Sequence, residues 1–453
     1  TDPSDARQRV IGVMGDVRLD YKNMLFLNIT GRNDWASTLP ADNRSFFYPS
    51  VNLSFLFTEV MSKNDILTFG KLRASWGQVG KIAPPNVVGR FFSADPNFPF
   101  GGVGGFIQNS TAGVEDLKPE TTSSFELGTD LRFLNNRLRL DFTYFVQNSK
   151  DQILAVPVSN ATSLSRIWLN AGEIETTGFE VLLDADIIEK GDFRWTATLN
   201  WSTNESVVES MPEELDEIVF ADAGWPGVVS KIVEGGSPGD LYGYVYQYEN
   251  DQLYIDGTGF PNIIVDSTVL VGNAFPDWIG SINNSFSYKG FTFSFLWEWK
   301  KGGDVYDSGQ RNAIRNGVLK ITEPRNVDVT FNGVMDDGSG GYIPNDQIVR
   351  LDQNYYRSSY DYNRASEVLI QDASWMRLRN VKLTYNFPHE MISKAKIANL
   401  ALSVSGYNLL LFTPFRGYDP EGTQYSAGSN TFGFTGLNVP STKGFLVGLN
   451  ISF

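Results

Sequence analysis

Cysteine is missing from the 453 residues, and histidine occurs once, at position 389. Without cysteine there is no disulfide framework, no thiolate metal site and no cysteine nucleophile. One histidine leaves no room for a His-rich zinc site or a multi-histidine relay. Basic residues are in deficit, 37 Lys+Arg against 52 Asp+Glu for a net charge of −15. That balance excludes nucleic acid as a partner, because neutralising phosphates needs a Lys/Arg surplus. No apolar stretch reaches the ~18–20 residues of a membrane-spanning helix, so any membrane must be crossed by strands. A charged-then-apolar leader is also missing and Thr1 is not an initiator Met, so the expectation is a mature protein or a piece of one. What is plentiful is aromatic residues, 13%, together with 43 Gly and 20 Pro. That mixture suits an ordered, turn-rich β protein rather than a disordered chain. No shift of composition divides the chain into soluble domains.

The strongest pattern is alternation. In 291–300, Phe291, Phe293, Phe295, Trp297 and Trp299 alternate with Thr292, Ser294, Leu296, Glu298 and Lys300. In 193–202, Phe193, Trp195, Ala197, Leu199 and Trp201 face away from Arg194, Thr196, Thr198, Asn200 and Ser202. The segment 137–147 opposes Leu138, Leu140, Phe142, Tyr144 and Val146 to Arg137, Arg139, Asp141, Thr143 and Gln147, with an exception at Phe145. At the end of the sequence, Phe445, Val447, Leu449, Ile451 and Phe453 fall on one face. Period two over about ten residues is the signature of a strand. A soluble sandwich alternates too, but three details favour a transmembrane antiparallel β-barrel. The runs match the ~9–11 residues of a tilted crossing and exceed the ~5–6 of soluble strands. Aromatics gather toward the run ends, as in interfacial girdles. The opposite face carries full charges of both signs, as a wet lumen allows: Lys71, Arg73, Glu126, Asp130, Arg132, Arg139, Asp141, Arg194 and Glu298.

Thirteen crossing runs are expected, at 10–21, 24–33, 46–58, 67–78, 122–133, 137–149, 173–187, 193–203, 277–288, 291–300, 373–387, 397–411 and 443–453. Short and long connections between them alternate without exception, as periplasmic turns and extracellular loops do. Two runs are irregular. In 277–288 an Asn, Asn284, sits on the apolar face, and 373–378 is out of phase with 381–387, which predicts either a phase change or residues beyond the apolar band. A single-chain bacterial barrel has an even count with both termini periplasmic. An odd count therefore predicts the C-terminal part of a larger barrel, 1–453 throughout, whose plug and first strands are absent. The final strand then descends to Phe453, which by resemblance to other barrels is expected to be the assembly signal that the barrel-assembly machinery engages.

Several strings resemble the SusC/RagA-type TonB-dependent transporters of Bacteroidota. They include GRNDWASTLP at 31–40, FFYPSVNLSFLFTE at 46–59, KLRASWGQVG at 71–80 and LKPETTSSFELGTDLRFLNNRLRLDFTYF at 117–145. NAGEIETTGFEV at 170–181 and VGNAFPDWIGSINNSFSYKGFTFSF at 271–295 follow, then KGGDVYDSG at 301–309, DASWMRLRNVKLTYNFP at 372–388 and GYDPEG at 417–422. The resemblance implies a 22-stranded plugged barrel, of which nine strands would lie outside this chain. It implies import of oligosaccharides or oligopeptides across the outer membrane of a Gram-negative bacterium. It implies a SusD-type surface lipoprotein as partner and drive from TonB through the absent N-terminal part. No enzymatic activity is expected, because the single His is predicted on the periplasmic side with no identifiable nucleophile. A passive porin-like barrel, or a soluble glycan-binding surface β protein, are the alternatives.

Candidate sites are few, and no cofactor or metal is called for. His389 lies in a predicted turn beside Glu390 with no nucleophile in view, and reads as a solvated turn residue. GGVGG at 101–105 lacks the Lys-Ser/Thr of a phosphate loop. DDGSGG at 336–341 fails the spacing of a calcium loop and reads as a turn. The inward charges read as wetting and strand pairing more than as substrate contacts. NYYRSSYDYN at 354–363 stands out, with Tyr355, Tyr356, Tyr360 and Tyr362 suited to stacking on sugar rings or peptide side chains. The competing reading is packing between loops or against a lipoprotein lid. Trp225 and Trp168, in other predicted outer loops, are similar but lone. Loop chemistry alone does not name the substrate.

Overall fold

The computed structural model describes residues 7–62, 64–100, 103–213, 215–224, 227–357, 365–425, 429 and 431–453. Thirteen long strands carry it, in sequence order within one antiparallel meander. They are β1 (Val10–Tyr21), β2 (Leu25–Ala36), β3 (Ser45–Leu56), β4 (Leu67–Lys81), β5 (Glu120–Phe133), β6 (Leu138–Lys150) and β7 (Glu173–Lys190). Then come β8 (Phe193–Ser210), β9 (Pro276–Tyr288), β10 (Phe291–Gly302), β11 (Trp375–Asn386), β12 (Asn399–Phe412) and β13 (Gly444–Ser452). Each coincides with one expected run. Several are longer than expected, β7 and β8 reaching 18 residues, more than the ~9–11 a bilayer requires. No helix among the described residues is long and apolar enough to cross a membrane. The chain divides into two compact units.

The first unit, Thr1–Asp186 with Thr198–Ile218 and Val233–Ser237, holds β1 to β6 and most of β7. Its register keeps apolar residues opposite one another: Leu27 faces Leu53, Val51 faces Trp76, and Trp76 faces Phe125. Polar residues pair on the other face, Asn52 with Ser75 and Ser75 with Glu126. This is what period two dictates, since a one-residue slip would turn every apolar side chain onto the polar face.

The second unit, Ile187–Ala197, Val219–Ile232 and Pro238–Phe453, holds β9 to β13. Phe295 faces Val381, Phe293 faces Leu383, and Val404 faces Val447. β9 and β10 are joined by Lys289 and Gly290 alone, with φ of 46° and 86°. Two consecutive left-handed residues make the turn whose twist matches the strands, and Gly accepts it at no steric cost. Both irregularities of the sequence now have physical explanations. Asn284, only 8% exposed on the apolar side of β9, accepts a hydrogen bond from Trp195 Nε1 at 3.0 Å. The indole also stacks on Phe286, with centroids 5.4 Å apart, so a polar amide is satisfied under an aromatic cover. Trp195→Phe is expected to keep the cover and orphan the amide, destabilising the fold by about 1–3 kcal/mol. Adding Asn284→Leu to that variant should recover most of the loss in a thermal melt followed by semi-native electrophoresis. If the single and double variants melt alike, the bond carries no stability.

The second irregularity is a β-bulge. β11 pairs Asn380 with Leu296 and then Leu378 with Trp297, so Arg379 is an extra residue. The bulge reverses parity: Val381 lies with Phe295 on the apolar side, whereas Arg377 lies with Glu298 on the polar side. The expected phase change is thus a designed kink of the kind that re-aims side chains.

The long connections fold into small sheets and short helices. In the second unit Ala221, Val228, Leu241, Tyr306, Ile314, Leu369 and Phe434 form their buried core. Helix α1 (Ser308–Arg315) begins where Asp307 caps the Gly309 and Gln310 amides at 2.9 and 3.0 Å, the usual role of Asp before a helix.

Candidate functional site

The polar face of the first unit is an alternating charge lattice spanning β4, β5 and β6. Arg73 makes a bidentate pair with Asp141, at 2.5 and 3.0 Å, and reaches Thr143 at 2.6 Å. Asp130, 3% exposed, lies 3.4 Å from both Arg132 and Arg139. Lys71 stands opposite Asp130 in the register, and Glu126 accepts from Ser75 and Ser124 at 3.4 Å. Gly128 lets Arg73 through: a Cβ there would sit 2.4 Å from its Nε. Like charges that face each other, Arg132 with Arg139 and Asp130 with Asp141, are each flanked by the opposite sign, which removes their mutual repulsion. The same face forms an open groove of ≈ 610 Å³ lined by Arg32, Tyr48, Asn52, Ser75, Glu126 and Gln147. At its Arg32 side, Asp34 accepts from Arg32 Nε at 2.8 Å and from the Tyr48 hydroxyl. The strings 31–40 and 46–59 thereby meet at one buried carboxylate.

The second unit carries a tighter ionic knot. Arg377, 3% exposed, holds Asp419 at 2.6 Å and Glu421 at 3.0 Å. Arg379, thrown out by the bulge, pairs with Glu298 and with Glu421, the latter through Nη1 at 2.9 Å. Its guanidinium lies 4.8 Å from the Trp375 ring centroid, a cation–π contact. Burial by itself would raise the Asp419 carboxyl, but the amides of Ser441 and Glu421, at 2.9 and 3.1 Å, and Arg377 outweigh it and hold it below the ordinary range. Asp419 and Glu421 are therefore fastened to β11 by charge.

The sequence-derived candidates separate accordingly. Glu298 belongs to the ionic knot. Arg194 is exposed at the start of β8, next to Trp195. Tyr355 and Tyr356 are buried, 8% and 7% exposed. Tyr355 stacks on Phe260, 5.7 Å between centroids, and the Tyr356 hydroxyl donates to the Pro324 carbonyl at 3.0 Å. The expectation that these two rings offer faces to a substrate gives way to packing between loops. The reason is physical: Phe260 and Phe331 close over Tyr355, and Tyr356 packs edge-on against Tyr355. Tyr360, Tyr362 and Trp225 lie outside the described residues. Trp168 is half-buried against Ala36, Leu117 and Ile153. His389 is exposed in a short helical turn, His389–Ile392. Asp336 Oδ1 accepts from the Gly338 amide and Asp337 Oδ1 from the Ser339 and Gly341 amides, which makes DDGSGG a turn. Phe453 is exposed beyond the end of β13.

Asp34, Tyr48, Arg377, Arg379, Asp419 and Glu421 were not singled out as site residues from sequence. The signal was present, since all six lie inside the strings that carry the family resemblance.

The comparisons with known proteins agree with this geometry. Residues 1–409 match the family model described as TonB dependent receptor-like, beta-barrel. The chain is 26% identical to TonB-dependent receptor P3 of Formosa agariphila, over 98% of this chain and 45% of that protein. It is 22% identical to TonB-dependent receptor SusC of Bacteroides thetaiotaomicron, over 99% of this chain and 44% of that protein. The chain thus spans less than half the length of the curated relatives it matches. Among solved structures, the RagAB peptide importer in its closed-closed state aligns with a TM-score of 0.77 at 21% identity. That alignment covers 98% of this chain and 48% of the other, and it shows the shared fold. Such proteins are outer-membrane receptors and transporters, not enzymes. This chain belongs to the TonB-dependent receptor-like β-barrel family.

Proposed function

We propose that the chain is the C-terminal barrel portion of an outer-membrane active importer for oligosaccharides or oligopeptides. In this reading the whole protein has 22 strands and a plug, is driven by TonB through its N-terminal part and works with a SusD-type surface lipoprotein. It reaches the membrane through the barrel-assembly machinery. The observation that carries the reading is the family membership of a chain whose strands keep one apolar face and one charged face. The relatives' names add to it: SusC is called a TonB-dependent receptor and RagAB a peptide importer. The test is uptake by whole cells of fluorescent oligosaccharide and oligopeptide pools, with and without a protonophore. Uptake that needs the gene and collapses with the protonophore is expected. Gene-dependent uptake that persists unchanged would establish a passive porin instead. Affinity isolation of the full-length protein should bring down a surface lipoprotein.

A further inference from the structure

We propose that a small pocket beside helix α1 in the second unit binds one neutral sugar ring. The proposal rests on the import reading and narrows its substrate class. The pocket measures ≈ 150 Å³ and is walled by Asp307, Gln310, Leu319, Arg416, Tyr418 and Leu437. Whole-ligand pockets run to ~300–1,000 Å³, so this one takes a single ring of a larger substrate.

Its chemistry follows from Asp307, which is 5% exposed. Oδ1 is consumed by the helix cap. Oδ2 receives no hydrogen bond among the described residues. It faces Gly417, where a Cβ would come within 2.6 Å of it, so the chain passes only because that residue is glycine. Asp307 lines the pocket, so this oxygen is an acceptor open to a donor that enters there. Arg416 supplies the complement. Its backbone amide and Nε both donate to Gln371 Oε1, at 3.0 and 3.3 Å, which fixes its arm and leaves the Nη groups for a ligand.

A carboxylate acceptor and guanidinium donors on one pocket match hydroxyls, which donate and accept at once. A lone ammonium would be repelled by Arg416 and a lone carboxylate by Asp307. A zwitterion satisfies both charges but leaves the aromatic wall unused. Tyr418, 68% exposed, presents a flat face of the kind that stacks on the C–H face of a pyranose. Leu319 and Leu437 provide the remaining apolar surface.

The test is titration of the native full-length protein in detergent. The probes are methyl α-glucopyranoside, methyl α-mannopyranoside and methyl β-galactopyranoside, with the dipeptide Ala-Leu as zwitterionic comparator. At least one pyranoside is expected to bind saturably. Asp307→Asn keeps the helix cap, since Asn caps as well as Asp, but can place an amide donor where the acceptor was, and should weaken binding tenfold or more. Tyr418→Ala, at an exposed position, should weaken it about as much. Absence of pyranoside binding, binding indifferent to both variants, or binding of Ala-Leu alone overturns the proposal. If protonophore-sensitive uptake survives such a result, only the sugar site fails and the import reading stands. Protonophore-insensitive uptake would sink the import reading itself.

Discussion

Replacing Arg377 by leucine is expected to destabilise the protein by about 3–5 kcal/mol, the cost of removing one partner from a buried ion pair. The guanidinium is almost wholly enclosed and answers Asp419 and Glu421 together. Without it, Asp419 keeps the amides of Ser441 and Glu421 but loses its countercharge. Glu421 retains Arg379. The damage should therefore concentrate in the 413–443 connection, read as faster proteolysis there and a lower melting temperature in semi-native electrophoresis of the full-length protein. The double variant Arg377→Leu, Asp419→Asn removes the stranded charge and should recover part of the loss. A double variant no more stable than the single one would contradict this account of the knot. Deleting Arg379 should be milder than Arg377→Leu. It removes the extra residue and the pairs with Glu298 and Glu421, but leaves Leu378 opposite Trp297 and Arg377 opposite Glu298 on the polar side.

That knot shows where the sequence was legible and where it was not. The thirteen strands could be read because each repeats the same period over ten or more residues, and a pattern with that much redundancy survives local exceptions. The bulge is a single inserted residue. It shows in sequence only as a phase slip between Leu378 and Val381, which a strand running past the apolar band would also produce. Only the pairing with Leu296 and Trp297 tells the two apart. Asn284 posed the same difficulty. On an apolar face it looks like an error of register until Trp195, 89 positions away in sequence, supplies the donor.

The loops were the least legible part, because their chemistry depends on partners that no periodicity announces. Tyr355 and Tyr356 stand in a tyrosine-rich run, and composition alone suggests an aromatic platform. Whether such a ring is a platform or a core residue depends on what covers it, here Phe260 and Phe331. Tyr418 makes the opposite point. It is a lone tyrosine within GYDPEG with no aromatic run to mark it as a platform, yet it is an exposed ring beside the pocket that Asp307 lines. Charges on the polar face, such as Arg73 and Asp141, fall between these cases. Their face followed from alternation, but their pairing across 68 positions did not.

The register itself is open to a sharp test at β10. Phe295 lies on the apolar side, between Asn284 under its Trp195 cover on β9 and Val381 on β11. Leu296, one residue on at nearly the same depth, lies on the opposite face between Asn283 and Asn380. Phe295→Arg forces a guanidinium into hydrocarbon near the middle of the strand, at a cost of about 2–4 kcal/mol. It should sharply reduce the folded, heat-modifiable protein in the outer-membrane fraction. Leu296→Arg delivers the same charge to a wet face with two amide side chains in reach, and Thr292→Arg does so nearer the turn. Both should assemble at close to normal abundance. The contrast depends only on the direction of the side chain, because charge, strand and depth are held almost constant between 295 and 296. Equal losses at the two positions would mean that β10 has no lipid face, and equal tolerance would mean that it does not cross a membrane.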